Sequence, residues 1–240
     1  MGPAILRLVG WAALIAVLVA PQVLLPFIAP LAPAGAPVLY DRASLAALFA
    51  AHAAMVAGAT VAAVLVAVPL AIVVTRPSGA AYQPLARLLV NLGQTVPPVA
   101  VLAITVPLVG FGVWPTCIAL FAYGLLPVFE GALAGLRLVP EDVRDSAQGM
   151  GLTPGQVLVS AELPLALPQI LSGIRVSAIV AMGTATIGST VAAPGLGEVI
   201  IAGLLSDNAA FVAQGGGIVA LAAVLMADAL AVLERRAARP

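Results

Sequence analysis

Glu130 and Asp228 are acids set in otherwise apolar runs, each seven residues ahead of an arginine, Arg137 and Arg235. A charge near the middle of a bilayer costs roughly 2.5–3.5 kcal/mol, so such acids face a cavity or a partner. Seven residues span about 10 Å of helix, which draws both acids toward the arginine-bearing ends of their segments. Arg175 is the expected partner for either, with Arg175 and Asp228 forming a candidate intramembrane ion pair. Glu130 is read two ways: as a packing charge, or as a lining of the route of a cationic solute. Thr184, Thr186, Ser189 and Thr190 place hydroxyls in an apolar stretch, where they are expected to serve close helix contact and interhelical hydrogen bonds. Their second reading, like that of Thr95 and Pro97, is a translocation pathway. Thr95 with Pro97-Pro98 is expected to break a span and turn backbone carbonyls toward a cavity.

Reactive constellations do not emerge. The sequence has no phosphate-binding loop, no Gly-x-Ser-x-Gly and no nucleophile with a partnered base. Cys117 stands alone, so it forms neither an intrachain disulfide nor a metal cluster. His52 has no Cys or His at ligand spacing and is expected to pack or end a helix. No cofactor or metal is expected on this chain.

The elements that must position these residues follow from composition. Of 240 residues, 62% are hydrophobic and 8% charged, and mean hydropathy is +1.17. Soluble domains carry about a quarter charged residues, so the natural solvent is a bilayer. Zero formal net charge leaves no basic footprint for nucleic acid. Apolar runs of about 20 residues predict six spans, at about 8–30, 52–74, 86–109, 113–136, 171–193 and 214–233. The first extends past Leu25, Pro26 and Phe27, too long for an ordinary signal core, and is expected to be retained. With an internal N-terminus, Arg7, Arg76, Arg87, Arg137, Arg144, Arg175, Arg235, Arg236 and Arg239 all fall on the cytoplasmic side, leaving Arg42 outside. That bias predicts both termini in the cytoplasm. The fold class is therefore all-α: a polytopic membrane helical bundle.

The longest cytoplasmic connection is the most informative. Pro140, Glu141 and Asp142 suit a helix start. Val143, Ala147 and Met150 share one apolar face, and Gly151 can take the left-handed conformation that ends a helix. Thr153-Pro154-Gly155-Gln156 has capping-box spacing, and the helix it opens is expected to stop before Pro164. Two short helices at an angle thus interrupt the chain at about 138–168.

Asp145-Ser146-Ala147, three residues, Gly151, nine residues, then Ala161-Glu162-Leu163-Pro164 resembles the EAA motif of binding-protein-dependent ABC importer permeases. Spacing is kept, with Asp for Glu, Ser for the first Ala and Ala for Ile. The resemblance covers roughly residues 45–236. Gln94-Thr95-Val96-Pro97-Pro98, Tyr123-Gly124-Leu125-Leu126-Pro127, Gly135-Leu136-Arg137, Glu162-Leu163-Pro164-Leu165-Ala166-Leu167-Pro168, Gly173-Ile174-Arg175 and Pro194-Gly195-Leu196-Gly197 look like the osmoprotectant branch, which moves glycine betaine, choline and related quaternary amines. Where that branch would carry Asn or another small polar residue near position 130, this chain has Glu130.

The resemblance implies a type I ABC importer permease. Residues 1–44 would form an N-terminal helix and external segment, 45–236 the permease core and 237–240 a cytoplasmic tail. The first short helix would be a coupling helix in a groove of a cytoplasmic ATPase dimer, with Asp145, Ser146, Ala147, Gly149, Gly151, Leu163 and Pro164 as the coupling set. ATP and Mg would reside on those ATPase subunits. A second permease copy or paralogue would complete the pathway. Aromatics able to cage a quaternary ammonium are scattered, so high-affinity recognition is expected of an extracytoplasmic binding protein, met by Glu198 and Asp207 near a short helix at 195–211. The expected location is a bacterial inner membrane. Alternative readings keep the mechanism for amino acids, oxyanions or sulfonates, or make the chain an ATPase-independent secondary transporter, for which inverted repeats are not visible.

Overall fold

The computed structural model describes residues 3–238, and Arg239, expected on the cytoplasmic side, lies outside them. Among the described residues all regular structure is helical. In chain order the helices are α1 (Pro3–Val19), α2 (Leu25–Ile28), α3 (Leu45–Thr75), α4 (Gln83–Thr95), α5 (Pro98–Val109), α6 (Val113–Leu138), α7 (Glu141–Gly149), α8 (Pro154–Val157), α9 (Leu163–Thr184), α10 (Gly197–Leu205) and α11 (Ala209–Ala237). Among the described residues four stretches are long and apolar enough to cross a membrane: Leu45–Thr75, Val113–Leu138, Pro154–Val191 and Ala209–Ala237. The number rises to six if two bent pairs each count as a span.

The first bend corrects the straight first span expected from hydropathy, and the second falls at Pro97-Pro98, where a break in the third span is expected. Ile5–Val19 meets Pro21–Leu31 at 113°, and Ala80–Thr95 meets Pro98–Val109 at 93°. Proline is the cause in both, because it lacks the donor that continues the ladder and its ring crowds the preceding turn. The second break is held by side chains. Tyr123 Oη donates to the Val96 carbonyl at 2.6 Å, and Gln94 Nε2 donates to the Tyr123 carbonyl at 3.1 Å. Pro127, inside α6, cannot donate to that same Tyr123 carbonyl, so Gln94 fills a vacancy that the proline creates.

The chain forms two compact units. One comprises 1–59, 97–120 and 179–226; the other comprises 60–96, 121–178 and 227–240. In the first, Leu14, Leu45, Leu48, Val56, Leu120, Leu196, Val199 and Phe211 build the core, and Tyr40 meets Phe211 edge-to-face at 5.6 Å. In the second, Ala67 and Ala71 of α3 share a cluster with Val128, Phe129, Leu133, Leu136 and Ala166. Within that unit α6 and α9 approach closely along glycines. A Cβ on Gly131 would lie 2.9 Å from Gly173 Cα, one on Gly173 would lie 2.5 Å from the Pro127 carbonyl oxygen, and one on Gly135 would lie 2.7 Å from the Ala166 oxygen. Without lipid-driven segregation between apolar helices, such close backbone contact is the principal source of attraction. Large apolar side chains such as Leu65, Leu108 and Trp114 are exposed, as expected where lipid is the neighbour.

The helix opened by Thr153 does not stop before Pro164. A π-turn over Leu158–Glu162 carries it forward, with Leu163 N–H bonding to the Leu158 carbonyl, and α9 continues through Pro164 and Pro168 to Thr184. The wider turn gives the Pro164 ring room and shifts the ladder that its missing donor would break. Beyond Thr184 the expected fifth span narrows to a 3-10 turn, Ala185–Val191, ended by left-handed Ala192.

Candidate functional site

The hairpin at 141–164 forms as the local sequence requires. Acidic Glu141 and Asp142 occupy the first turn of α7, with Pro140 at its N-cap. The C-terminus closes as a Schellman motif: Gly151 N–H bonds to the Gln148 carbonyl at 2.8 Å and Leu152 N–H to the Ala147 carbonyl at 3.2 Å. Gly151 has φ +88, the left-handed state in which glycine carries no Cβ penalty. Thr153 follows immediately with a complete capping box. Its hydroxyl accepts from Gln156 N–H, and Gln156 Oε1 accepts from Thr153 N–H at 2.8 Å. Of the coupling residues, Asp145, Ser146, Gly149 and Gly151 are exposed while Ala147 turns inward. Leu163 and Pro164 belong to the start of α9 rather than to this exposed corner. An open groove of about 470 Å³ lies between α7 and the turn at Leu158–Glu162, lined among others by Asp142, Ser146, Met150 and Ser160.

Glu162 was not singled out by sequence, yet it anchors this region. Its side chain is 2% exposed and takes two arginines, Arg144 Nε at 2.7 Å and Arg76 Nη2 at 2.7 Å. Arg144 Nη2 also donates to the Leu136 carbonyl at 2.6 Å. The available signal is an acid beside a proline-rich apolar run, which is ambiguous until its partners, 86 and 18 residues distant, are placed.

Glu130 pairs with Arg87, not Arg175, through two hydrogen bonds of 2.6 and 2.5 Å. The pair opens onto a groove of about 350 Å³ lined by Arg87, Glu130, Leu133, Ala134, Arg137 and Leu138. Arg137 in turn donates to Gln83. Arg175 meets Glu234 at 3.1 Å, correcting the expected pairing with Asp228 one helical stretch earlier on α11. The six pathway residues do not share one unit: Thr95 and Glu130 belong to the second, Pro97, Thr184, Thr186 and Ser189 to the first. Thr186, Ser189 and Thr190 donate to Gly183, Ala193 and Ile187 carbonyls, so these hydroxyls satisfy their own backbone instead of bridging helices. Thr95 does the same at Leu92. The close-packing role fits better: a Cβ on Gly188 would lie 2.5 Å from Thr116 Cγ2.

His52 is fully buried with Nε2 2.9 Å from the Met182 carbonyl, a packing role as expected. The segment before α3 is pinned within its own unit. Tyr40 Oη donates to Glu198 at 2.5 Å, Tyr40 N–H donates to Gln214 Oε1 at 2.9 Å, and Asn208 Nδ2 donates to the Pro37 carbonyl at 2.8 Å. Glu198 is therefore engaged internally, whereas Asp207, with φ +51, is exposed. Burial, then the bond to Glu198, push the Tyr40 hydroxyl up to about 12 from its usual 10. The folded chain holds this proton more tightly than the unfolded chain, so the contribution is whole below pH 10 and vanishes as pH rises through about 12. Thermal unfolding of wild type and Tyr40→Phe is expected to differ at pH 9 and to converge toward pH 12; a gap independent of pH would refute this account.

These features define a polytopic, all-helical membrane protein. The chain belongs to the family described as binding-protein-dependent transport system inner membrane component, whose model matches residues 67–239. It is 39% identical over 173 residues to the choline transport system permease protein OpuBB of Bacillus subtilis, covering 72% of this chain and 79% of that protein. It is 36% identical over 178 residues to the glycine betaine/carnitine/choline transport system permease protein OpuCB of the same organism, covering 74% and 81%. The osmoprotectant import permease protein OsmY of Salmonella typhimurium is 36% identical over 174 residues, 72% of this chain and 74% of that protein. Two crystal forms of the MetNI methionine ABC transporter in inward-facing conformations share the fold. Their TM-scores are 0.70 and 0.72 at 21% identity, covering 79% and 81% of this chain and 94% and 96% of theirs.

Proposed function

We propose that this chain is the membrane-spanning half of an ATP-driven importer for an osmoprotectant, a small quaternary amine such as choline, glycine betaine or carnitine. The observation that carries the reading is the exposed corner Asp145–Gly151, a short helix held rigidly by its Schellman and capping-box ends and leading directly into a membrane-spanning helix. It suits a coupling helix seated in a groove of a cytoplasmic ATPase, where small Ser146, Gly149 and Gly151 permit close approach and Asp145 accepts a hydrogen bond. Two permeases, two ATPase subunits holding ATP and Mg, and an extracytoplasmic binding protein complete the machine. The arginine distribution supports cytoplasmic termini in an inner membrane. Likeness to choline, glycine betaine and carnitine permeases over about three quarters of the chain favours the quaternary-amine cargo over amino acids, oxyanions or sulfonates.

Purification of the chain with its ATPase tests the reading, using Gly151→Asp as the probe. No atom lies within 4 Å of the position a Cβ would take there, so the added carboxylate points into the space a docking partner would fill. The left-handed backbone is one that Asp tolerates better than most residues. Recovery of ATPase with the mutant is expected to fall about tenfold, equivalent to losing one good contact. Unchanged association and uptake would overturn the coupling assignment.

A further inference from the structure

We infer that Glu162 is the positioning residue through which movement of the short cytoplasmic helix reaches the membrane-spanning helices. The inference rests on the proposed importer function and adds a residue to it.

Glu162 is almost completely withdrawn from solvent, at 2% exposure. A buried ion cluster is a poor device for stability alone, since apolar residues of similar volume commonly serve as well. What the cluster supplies is directional connection. Arg144 lies midway along α7, Arg76 directly follows α3, and the Leu136 carbonyl belongs to the last turn of α6, where the helix leaves its carbonyls without internal donors. The single guanidinium of Arg144 spans two of these points, reaching Glu162 with Nε and Leu136 with Nη2. Its planar fork fixes both bonds at once. The end of α3 and the middle of α7 therefore meet at one carboxylate, and the end of α6 is joined to it through Arg144, all inside one compact unit.

The carboxylate also occupies the last position of the π-turn, whose closing bond runs from Leu163 N–H to the Leu158 carbonyl. A π-turn is a local departure from the α ladder and recurs where function requires adjustment. A push on α7 thus arrives at the π-turn of the long helix and, through Arg76, at the end of α3. A leucine at 162 would fill the space but would sever the link between the two arginines, leaving Arg144 on the Leu136 carbonyl and Arg76 on Ile72 and Thr75 of its own helix.

The test uses the whole transporter in proteoliposomes: this chain, its ATPase and its binding protein, with labelled choline and ATP. The quantity read is solute imported per ATP hydrolysed. Glu162→Gln is expected to lower that ratio about tenfold, and Arg76→Gln about fivefold, while hydrolysis persists. Glu162→Asp, which keeps the charge, is expected to recover at least half of it. A merely structural role would reduce folded complex, uptake and hydrolysis together and leave the ratio unchanged. That result overturns the inference. Should Glu162→Gln fail to assemble, Arg76→Gln decides alone, because its side chain is 31% exposed and its loss leaves Glu162 paired to Arg144. Wild-type complex that imports nothing with ATP overturns the proposed function together with the inference. Coupled wild type with an unaltered ratio in the variants overturns the inference alone.

Discussion

A leucine at position 173 is expected to leave little folded chain. A Cβ there would sit 2.5 Å from the Pro127 carbonyl oxygen and 3.2 Å from Gly131 Cα, and leucine adds three more carbons beyond it. The obstructing atoms are backbone, so no rotamer relieves the clash, and α6 and α9 must part. Parting them forfeits the neighbouring Gly131 and Gly135 contacts as well. Overpacking costs about 1–3 kcal/mol or more, a large share of a total stability of about 5–15 kcal/mol. Thermal unfolding in detergent should show a melting temperature lowered by many degrees, with little monodisperse protein recovered. Gly58→Ala is the contrast: nothing lies within 4 Å of its would-be Cβ, and a mid-helix alanine gains about 1 kcal/mol over glycine. Equal melting of the Gly173 variant and wild type would sink the claim that this seam governs packing.

The second large effect is expected on cargo. Glu130 is the sole acid on a groove that also presents Arg87 and Arg137. Replacing it with glutamine converts a formal charge of +1 to +2 there, with the side-chain size kept. For a cation passing about 7 Å away, one added positive charge costs about 1–2 kcal/mol at the effective dielectric of a partly wet site, roughly a tenfold loss of uptake. Choline, which carries only a positive charge, should lose more than glycine betaine, whose carboxylate gains from the freed Arg87. Initial uptake rates of both solutes at equal amounts of complex check this, and the penalty should shrink at high salt. Equal rates in wild type and Glu130→Gln would remove this groove from the solute's route.

What the sequence disclosed and what it hid divide along physical lines. Thr153, Pro154 and Gln156 form a cap because every partner lies within three residues, and Gly151 ends α7 for equally local reasons. Pro97-Pro98 breaks its span for want of two donors. Composition alone signalled helices in lipid. Pro164 misled, because the halt it implies is relieved by a π-turn that no local pattern announces. The ion pairs misled too. Hydropathy places a charge within a span but not around its circumference, so Arg175 found Glu234 and Glu130 found Arg87. Tyr123 looked like one scattered aromatic, and its role at the bend emerges only when Val96 is brought beside it. Glu162 stayed hidden for the same reason.

The surplus residue in the turn at Leu158–Glu162 also sets an azimuth. Each residue of an α-helix advances the side-chain direction by about 100°, so restoring the ordinary pitch by excising one residue would rotate everything downstream by that angle relative to the hairpin. Either Gly173 would then aim away from α6, or the exposed corner would swing off its bearing. The irregular turn is thus a phase correction, and it reconciles two orientations that a uniform helix could not satisfy together.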